Sequence, residues 1–233
     1  YAIVVLSTET PDEIICAKNA SPLVLGLGEG ENFVASDVPA LLPHTRRVIF
    51  LEEGDLAQVK ASGVRIYDLQ GNERAQNIRT VTWSVVAAEK AGYKHFMLKE
   101  IHEQPRAIED TLRGRIDLER GEVIGEELGL PRDVVKGIGR VYFVACGTSA
   151  HAAMAGRYWV EQLARIPSTV EIGSEVRYRK PVFLPTDLVV AVSQSGETLD
   201  TMAAVKAAKA QGARVLAIAN VVDSAIPRAS EGA

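Results

Sequence analysis

Ser193-Gln194-Ser195-Gly196-Glu197-Thr198 (SQSGET) follows the apolar run 187–192 (DLVVAV) and leads into 199–212 (LDTMAAVKAAKAQG). The run before it is short and nearly continuous, and the run after it has helical spacing, so the stretch predicts a strand, a sharp corner and a helix. The corner holds small hydroxyl residues, one glycine and one carboxylate. It is either a plain turn or a cradle for an oxyanion, and the surrounding sequence decides between the two.

From Arg140 onward the same alternation repeats: RVYFVAC, then SAHAAMAGRYWVEQLARI, STVEIG, DLVVAVS, TLDTMAAVKAAKAQ and ARVLAIAN. Apolar strands alternating with helices predict an α/β domain, an open, doubly wound parallel sheet covered on both faces, over 140–233. Gly212 reads as the stop of the later helix. On that helix Leu199, Met202 and Ala203 are expected to face the core, with Lys206 and Lys209 outward. The earlier helix, with Trp159, Leu163 and many alanines, is expected to be packed more deeply.

A second corner, VACGTSAHAAMA (144–155), has the same order of strand, small hydroxyl residues and helix. In open parallel sheets ligands bind beyond the carboxyl ends of the strands. There small residues let amides approach an oxyanion, hydroxyls donate further bonds and helix N-termini favour negative charge. Ordinary helix capping by Ser and Thr explains either corner singly. Two such corners in one sheet favour the cradle. Neither contains G-x-x-x-x-G-K-[ST], so a phosphomonoester fits better than a nucleotide, with Gln194 left to meet sugar hydroxyls.

Residues 1–85 alternate short apolar runs with turn signals and read as a β-rich region. One helix is expected in it over VPALL (38–42), capped by Ser36 or Asp37, with Pro39 in its first turn. Gly26, Gly28 and Gly30 in GLGEGENF open no helix and are read as a strand connection rather than a dinucleotide fingerprint. Residues 86–139 read as a charged linker with leading helices, and the composition shift marks a boundary near residue 90. Ile101, Ile108 and Leu112 share a helical face there, Pro105 is expected to restart the helix, and Gly114 ends it.

Composition bounds the function. With 47% hydrophobic residues in 233, the chain can build real cores, and 26 basic against 30 acidic residues offer no broad cationic surface for nucleic acid. No apolar run approaches the ~20 residues that span a bilayer, so a cytoplasmic protein with no membrane partner is expected. Cys16 and Cys146 suggest neither a disulfide framework nor a metal site, and both are read as packing thiols. His44, His95, His102 and His151 show no spacing that argues for chemistry. The chain begins without Met in a strand-like run, and is read as an internal fragment.

The motifs CGTSAHAAMAGRYW (146–159), VEIGSEVRYRKP (170–181) and VSQSGETLDT (192–201) together resemble the first sugar isomerase (SIS) subdomain of the glutamine:fructose-6-phosphate aminotransferase family. SPLVLGLGEGENFVASDVPALLPHTRRVIFLEEGD (21–55) resembles the latter half of that family's class II glutamine amidotransferase domain, of the N-terminal nucleophile type. HFMLKEIHEQPRAIEDTLRGR (95–115) resembles the junction between the halves. The resemblance implies a two-site enzyme that hydrolyses glutamine, passes ammonia internally and converts fructose 6-phosphate to glucosamine 6-phosphate without a cofactor, as a homodimer. It implies sugar-phosphate contacts at Thr148, Ser149, Ser193, Gln194, Ser195 and Thr198. It also implies that Asp37 holds the α-amino group of glutamine, a charge-assisted pair, although spacing alone favours a helix cap.

The family's nucleophilic cysteine and its oxyanion hole would precede Tyr1, and the groups that open the ring and move protons on the sugar would follow Ala233. No catalytic residue is therefore assigned, and the chain alone is expected to be inactive. Two other readings stay open: a non-catalytic phosphosugar sensor built on an SIS domain, and a simple ketose–aldose isomerase, which the β-rich half disfavours. Trp83, near the boundary, has no assigned role.

Overall fold

The structure is a computed structural model that describes residues 1–82, 92–125 and 128–233. It divides into two units, Tyr1–Lys99 and Glu100–Ala233. The boundary read near residue 90, and Trp83, lie outside the described residues.

Among the described residues the first unit contains nine strands in two antiparallel sheets. One has the order β1-β2-β6-β7-β8, built from Ala2–Leu6, Glu13–Lys18, Leu56–Lys60, Gly63–Tyr67 and Glu73–Arg74; the other has the order β4-β3-β5-β9, from Asn32–Ala35, Val24–Leu27, Arg47–Phe50 and Ile78–Thr80. Alternation sets the inward face: Ala57, Val59, Val64 and Ile66 of the first sheet are buried with Leu25 and Ile49 of the second. Cys16 is fully buried in this layer, and burial pushes its thiol up to about 11.

The helix expected over 38–42 is instead a run of turns through residues 39–44. Pro43 has no N–H to extend an α-helix, and β5 begins only four positions later, at Arg47. The turns still do the covering expected of the helix: Val38, Leu41 and Leu42 pack with Val24 and Val48 on the far face of the second sheet.

Helix α1 spans Phe96–Leu112 with Pro105 inside it, so the proline does not restart the helix as expected. Its ring removes one backbone hydrogen bond, which a helix of 17 residues tolerates. Arg115 N–H bonds Leu112 C=O, and Gly114 takes φ +77°, the left-handed stop that the sequence indicated. A two-residue-per-strand hairpin, β10 (Ile116–Asp117) and β11 (Glu122–Val123), and helix α2 (Arg132–Lys136) follow.

The remainder of the second unit is the expected doubly wound domain. Its four parallel strands run in the order β13-β12-β14-β15. These are Ser168–Ile172, Arg140–Ala145, Asp187–Ser193 and Arg214–Ala219; the helices are α3 (Thr148–Trp159, continued as a π-helical turn to Ala164), α4 (Gly173–Arg179), α5 (Leu199–Ala210) and α6 (Ala225–Ala229). Val141, Phe143, Leu188 and Val190 pack on α3 through Ala150 and Ala153, while Tyr142, Val144, Val189 and Ala191 pack on α4 and α5. The helix after Ile172 was not anticipated.

Two face assignments are corrected. The buried stripe of α5 is Thr201, Ala204, Val205 and Ala208, an i, i+3, i+4, i+7 series; Leu199 is exposed, while Met202 packs against the core and Lys206 and Lys209 are exposed as expected. Helix α3 is the shallower one: Trp159 is 64% and Leu163 83% exposed, because the helix meets the sheet only along its small side, where Gly156 lies against Phe143. Helix α5 ends as expected, with Gly212 at φ +84° and bonds from Gly212 N–H to Lys209 C=O and from Ala213 N–H to Ala208 C=O, the paired pattern of a left-handed C-cap.

With a thiol reagent near pH 8 the folded chain should titrate the half-buried Cys146 quickly, and Cys16 only once denaturant unfolds the first unit. Two fast thiols in the native protein would contradict the burial of Cys16.

Candidate functional site

Strand β12 comes first in the parallel sheet; the chain then moves to β13 on one side and returns to β14 on the other. The direction of winding therefore reverses between β12 and β14, the position at which open α/β sheets form a crevice beyond their carboxyl ends. These two strands pair from Arg140–Asp187 to Ala145–Val192, so their ends are level and about 4.8 Å apart. Residues 146–149 leave one end, and 193–198 leave the other. The structure thus brings together the predicted Thr148, Ser149, Ser193, Gln194, Ser195 and Thr198 on one rim.

At the first corner Gly147 takes φ +56° and ψ −135°, a conformation open to glycine, and turns the chain directly into α3. No side chain caps α3. Ala150 N–H bonds Gly147 C=O, and among the described residues no hydrogen bond within the chain uses the hydroxyls of Thr148 or Ser149. The Thr148 hydroxyl is exposed at the positive end of a helix.

At the second corner the hydroxyls are partly spent on the turn itself. Ser193, only 3% exposed, accepts the Gly196 N–H at 3.0 Å and shares a hydrogen bond of 3.1 Å with Thr198 Oγ1. Ser195 accepts the Glu197 N–H at 3.2 Å. These two amides are therefore engaged within the loop, and the groups turned to solvent are Gln194 and Ser195. Thr198, half-buried, makes no side-chain cap to α5, so plain capping does not account for it.

Three elements meet beneath the rim. Gly173, the first residue of α4, lies so close to Cys146 Sγ and to the backbone of Asp200 and Thr201 that a Cβ there would stand 3.0–3.1 Å from each. Cys146 Sγ is 3.8 Å from Thr201 Oγ1, in keeping with a packing role. Asp200, in the first turn of α5, accepts a bond of 3.0 Å from Arg177, which holds the arginine's proton more tightly. That pairing offsets a carboxylate beside an anion-attracting helix end. Sequence reasoning missed this support; the glycine in VEIGSE was its one visible signal.

Asp37 lies in the first unit, exposed, and its Oδ1 accepts the Ala40 N–H at 3.2 Å. Among the described residues no helix is long and apolar enough to cross a membrane, and no group of three His, Cys, Asp or Glu side chains is placed to hold a metal ion. A cleft of about 960 Å³ between the β10–β11 hairpin and α2 shares no residue with either corner. Its lining mixes Arg120, Arg132 and Lys136 with Asp117 and Glu122.

The SIS domain family model matches residues 136–232. The glutamine–fructose-6-phosphate aminotransferase (isomerizing) of Symbiobacterium thermophilum is 51% identical over 99% of this chain and 38% of its own length. That of Thermus thermophilus is 49% identical over 99% of this chain and 37% of its own. Among solved structures, the C-terminal domain of glucosamine-fructose-6-phosphate aminotransferase from Francisella tularensis superposes with a TM-score of 0.54 at 40% identity, covering 61% of this chain and 39% of that one. The chain thus spans less than two fifths of the curated relatives it matches. Residues 136–232 match the SIS domain family model, and along 99% of its length the chain is similar to the glutamine–fructose-6-phosphate aminotransferases.

Proposed function

We propose that the chain is part of a glutamine-dependent fructose-6-phosphate aminotransferase and that its SIS domain grips the phosphate of fructose 6-phosphate between residues 146–149 and 193–198. The observation that carries this reading is the pair of hydroxyl-rich corners at the sheet's reversal point, on adjacent strands with level ends. Thr148, Ser149, Ser195 and Thr198 supply hydroxyls to the dianion, the first turns of α3 and α5 supply positive potential, and Gln194 meets the sugar hydroxyls. Ser193, being buried, acts chiefly by shaping the loop.

In this reading residues 1–85 are the later part of a class II amidotransferase domain, where Asp37 holds the α-amino group of glutamine. Residues 86–139 join it to the first SIS subdomain at 140–233. Glutamine is hydrolysed in one part of the protein, and its nitrogen replaces an oxygen of fructose 6-phosphate in the other, where the ketose becomes glucosamine 6-phosphate. The chain holds binding residues without a catalytic set, so by itself it is inactive. The working protein is a cytoplasmic homodimer that needs no metal or cofactor. A non-catalytic phosphosugar sensor is disfavoured by the similarity of residues 1–135 to the aminotransferases, since a sensor needs no glutaminase half.

Calorimetry should find fructose 6-phosphate bound and fructose not. Thr148→Ala and Ser195→Ala should each weaken binding by about 1.5–3 kcal/mol, as for hydrogen bonds to a charged group, with little change in the unfolding midpoint. Equal affinity for fructose and its phosphate, or unchanged affinity in the double variant, would sink the reading.

In the full-length protein Asp37→Asn should raise KM for glutamine about tenfold or more while fructose 6-phosphate affinity stays level. A KM that does not move would restrict Asp37 to its turn.

A further inference from the structure

A phosphate cradle is a poor place for an acidic side chain, yet Glu197 stands in the middle of SQSGET. A carboxylate free to reach a dianion at this distance would oppose its binding. The loop's hydrogen bonds account for it. Glu197 Oε1 accepts the N–H of Ala225, the first residue of α6, at 2.8 Å. Ser224, in the N-cap position, makes no side-chain cap and instead donates its hydroxyl to Val221 C=O at 2.6 Å, so Glu197 caps α6 from another element. Next to it, Ile226 N–H donates to Gly196 C=O at 2.8 Å, and Ile226 is fully buried in the core. Gly196, at φ +66°, packs against the Ser224 side chain so closely that a Cβ would collide with it.

The loop is thus held from two sides. On the strand side Ser193 takes the Gly196 N–H; on the far side α6 takes the Gly196 C=O and the Glu197 carboxylate. Resting on the phosphosugar reading above, we propose that Glu197 is a positioning residue: by capping α6 it turns its charge away from the ligand and fixes the curvature that presents Gln194, Ser195 and Thr198. What the cap on α6 requires is a hydrogen-bond acceptor at Oε1. Glutamine keeps that acceptor and alanine does not.

The test uses the whole chain with two readouts. In Glu197→Ala, amide hydrogen exchange at Ala225 and Ile226 should accelerate about tenfold, the size of a lost helix cap, and Kd for fructose 6-phosphate should rise by a similar factor. Glu197→Gln should restore both to within about threefold of the unsubstituted chain. The proposal is overturned if exchange at Ala225 and Ile226 is the same in Glu197→Ala. It is also overturned if Glu197→Gln binds as weakly as Glu197→Ala, which would mean that the acceptor alone does not hold the loop, or if Glu197→Ala binds more tightly than the unsubstituted chain, which would mean that the carboxylate acts on the ligand by repulsion. Failure of the unsubstituted chain to bind any sugar phosphate would refute the phosphosugar reading instead. In that case the exchange measurements alone decide whether Glu197 pins the loop.

Discussion

The parallel pairing of β12 with β14, in register from Arg140–Asp187 to Ala145–Val192, is the constraint on which the site depends. It sets two strand-to-helix corners side by side and level. Because β12 is the first strand and its neighbours are added on opposite sides, no crossover covers the gap between the two ends. The helices divide accordingly, α3 to one face and α4 with α5 to the other, and their first turns converge on the rim. A slip of β14 by one residue against β12 would turn Val189 away from α4 and α5 and put the two corners out of level.

Close approach is the second requirement. Gly173 and Gly156 are glycine because another element occupies the space a side chain would fill, and Gly196 and Gly147 because the chain turns through positive φ. The two acidic groups in or just after the second corner are engaged elsewhere. Asp200 is paired with Arg177, and Glu197 faces the first turn of α6. A site with hydroxyls, helix ends and small residues, and with no lysine in either corner, attracts an anion only if nearby carboxylates are so engaged.

Much of this architecture was legible because the relevant signals are local. The strands of the parallel sheet are short apolar runs, Gly212 and Gly114 stop helices where left-handed backbone is needed, and the corners follow from strand, small residues and helix in that order. The errors concern what packs against what. Trp159 and Leu163 looked like core residues on an alanine-rich helix, but the contact with the sheet runs along Ala150, Ala153 and Gly156. Ser36 and Asp37 looked like the start of a helix that Pro43 prevents, and Pro105 sits within a helix it was expected to divide.

The sequence by itself determined the class of each half, the two corners and the hydroxyl residues they carry, since these rest on periodicity and on which residues tolerate tight turns. Only the tertiary structure decided which hydroxyls serve the turn, which helix is the buried one, and why a glutamate sits among them. Those answers rest on contacts between residues far apart in the chain, such as Glu197 with Ala225 and Gly173 with Cys146, and nothing in the local pattern of either partner records the other.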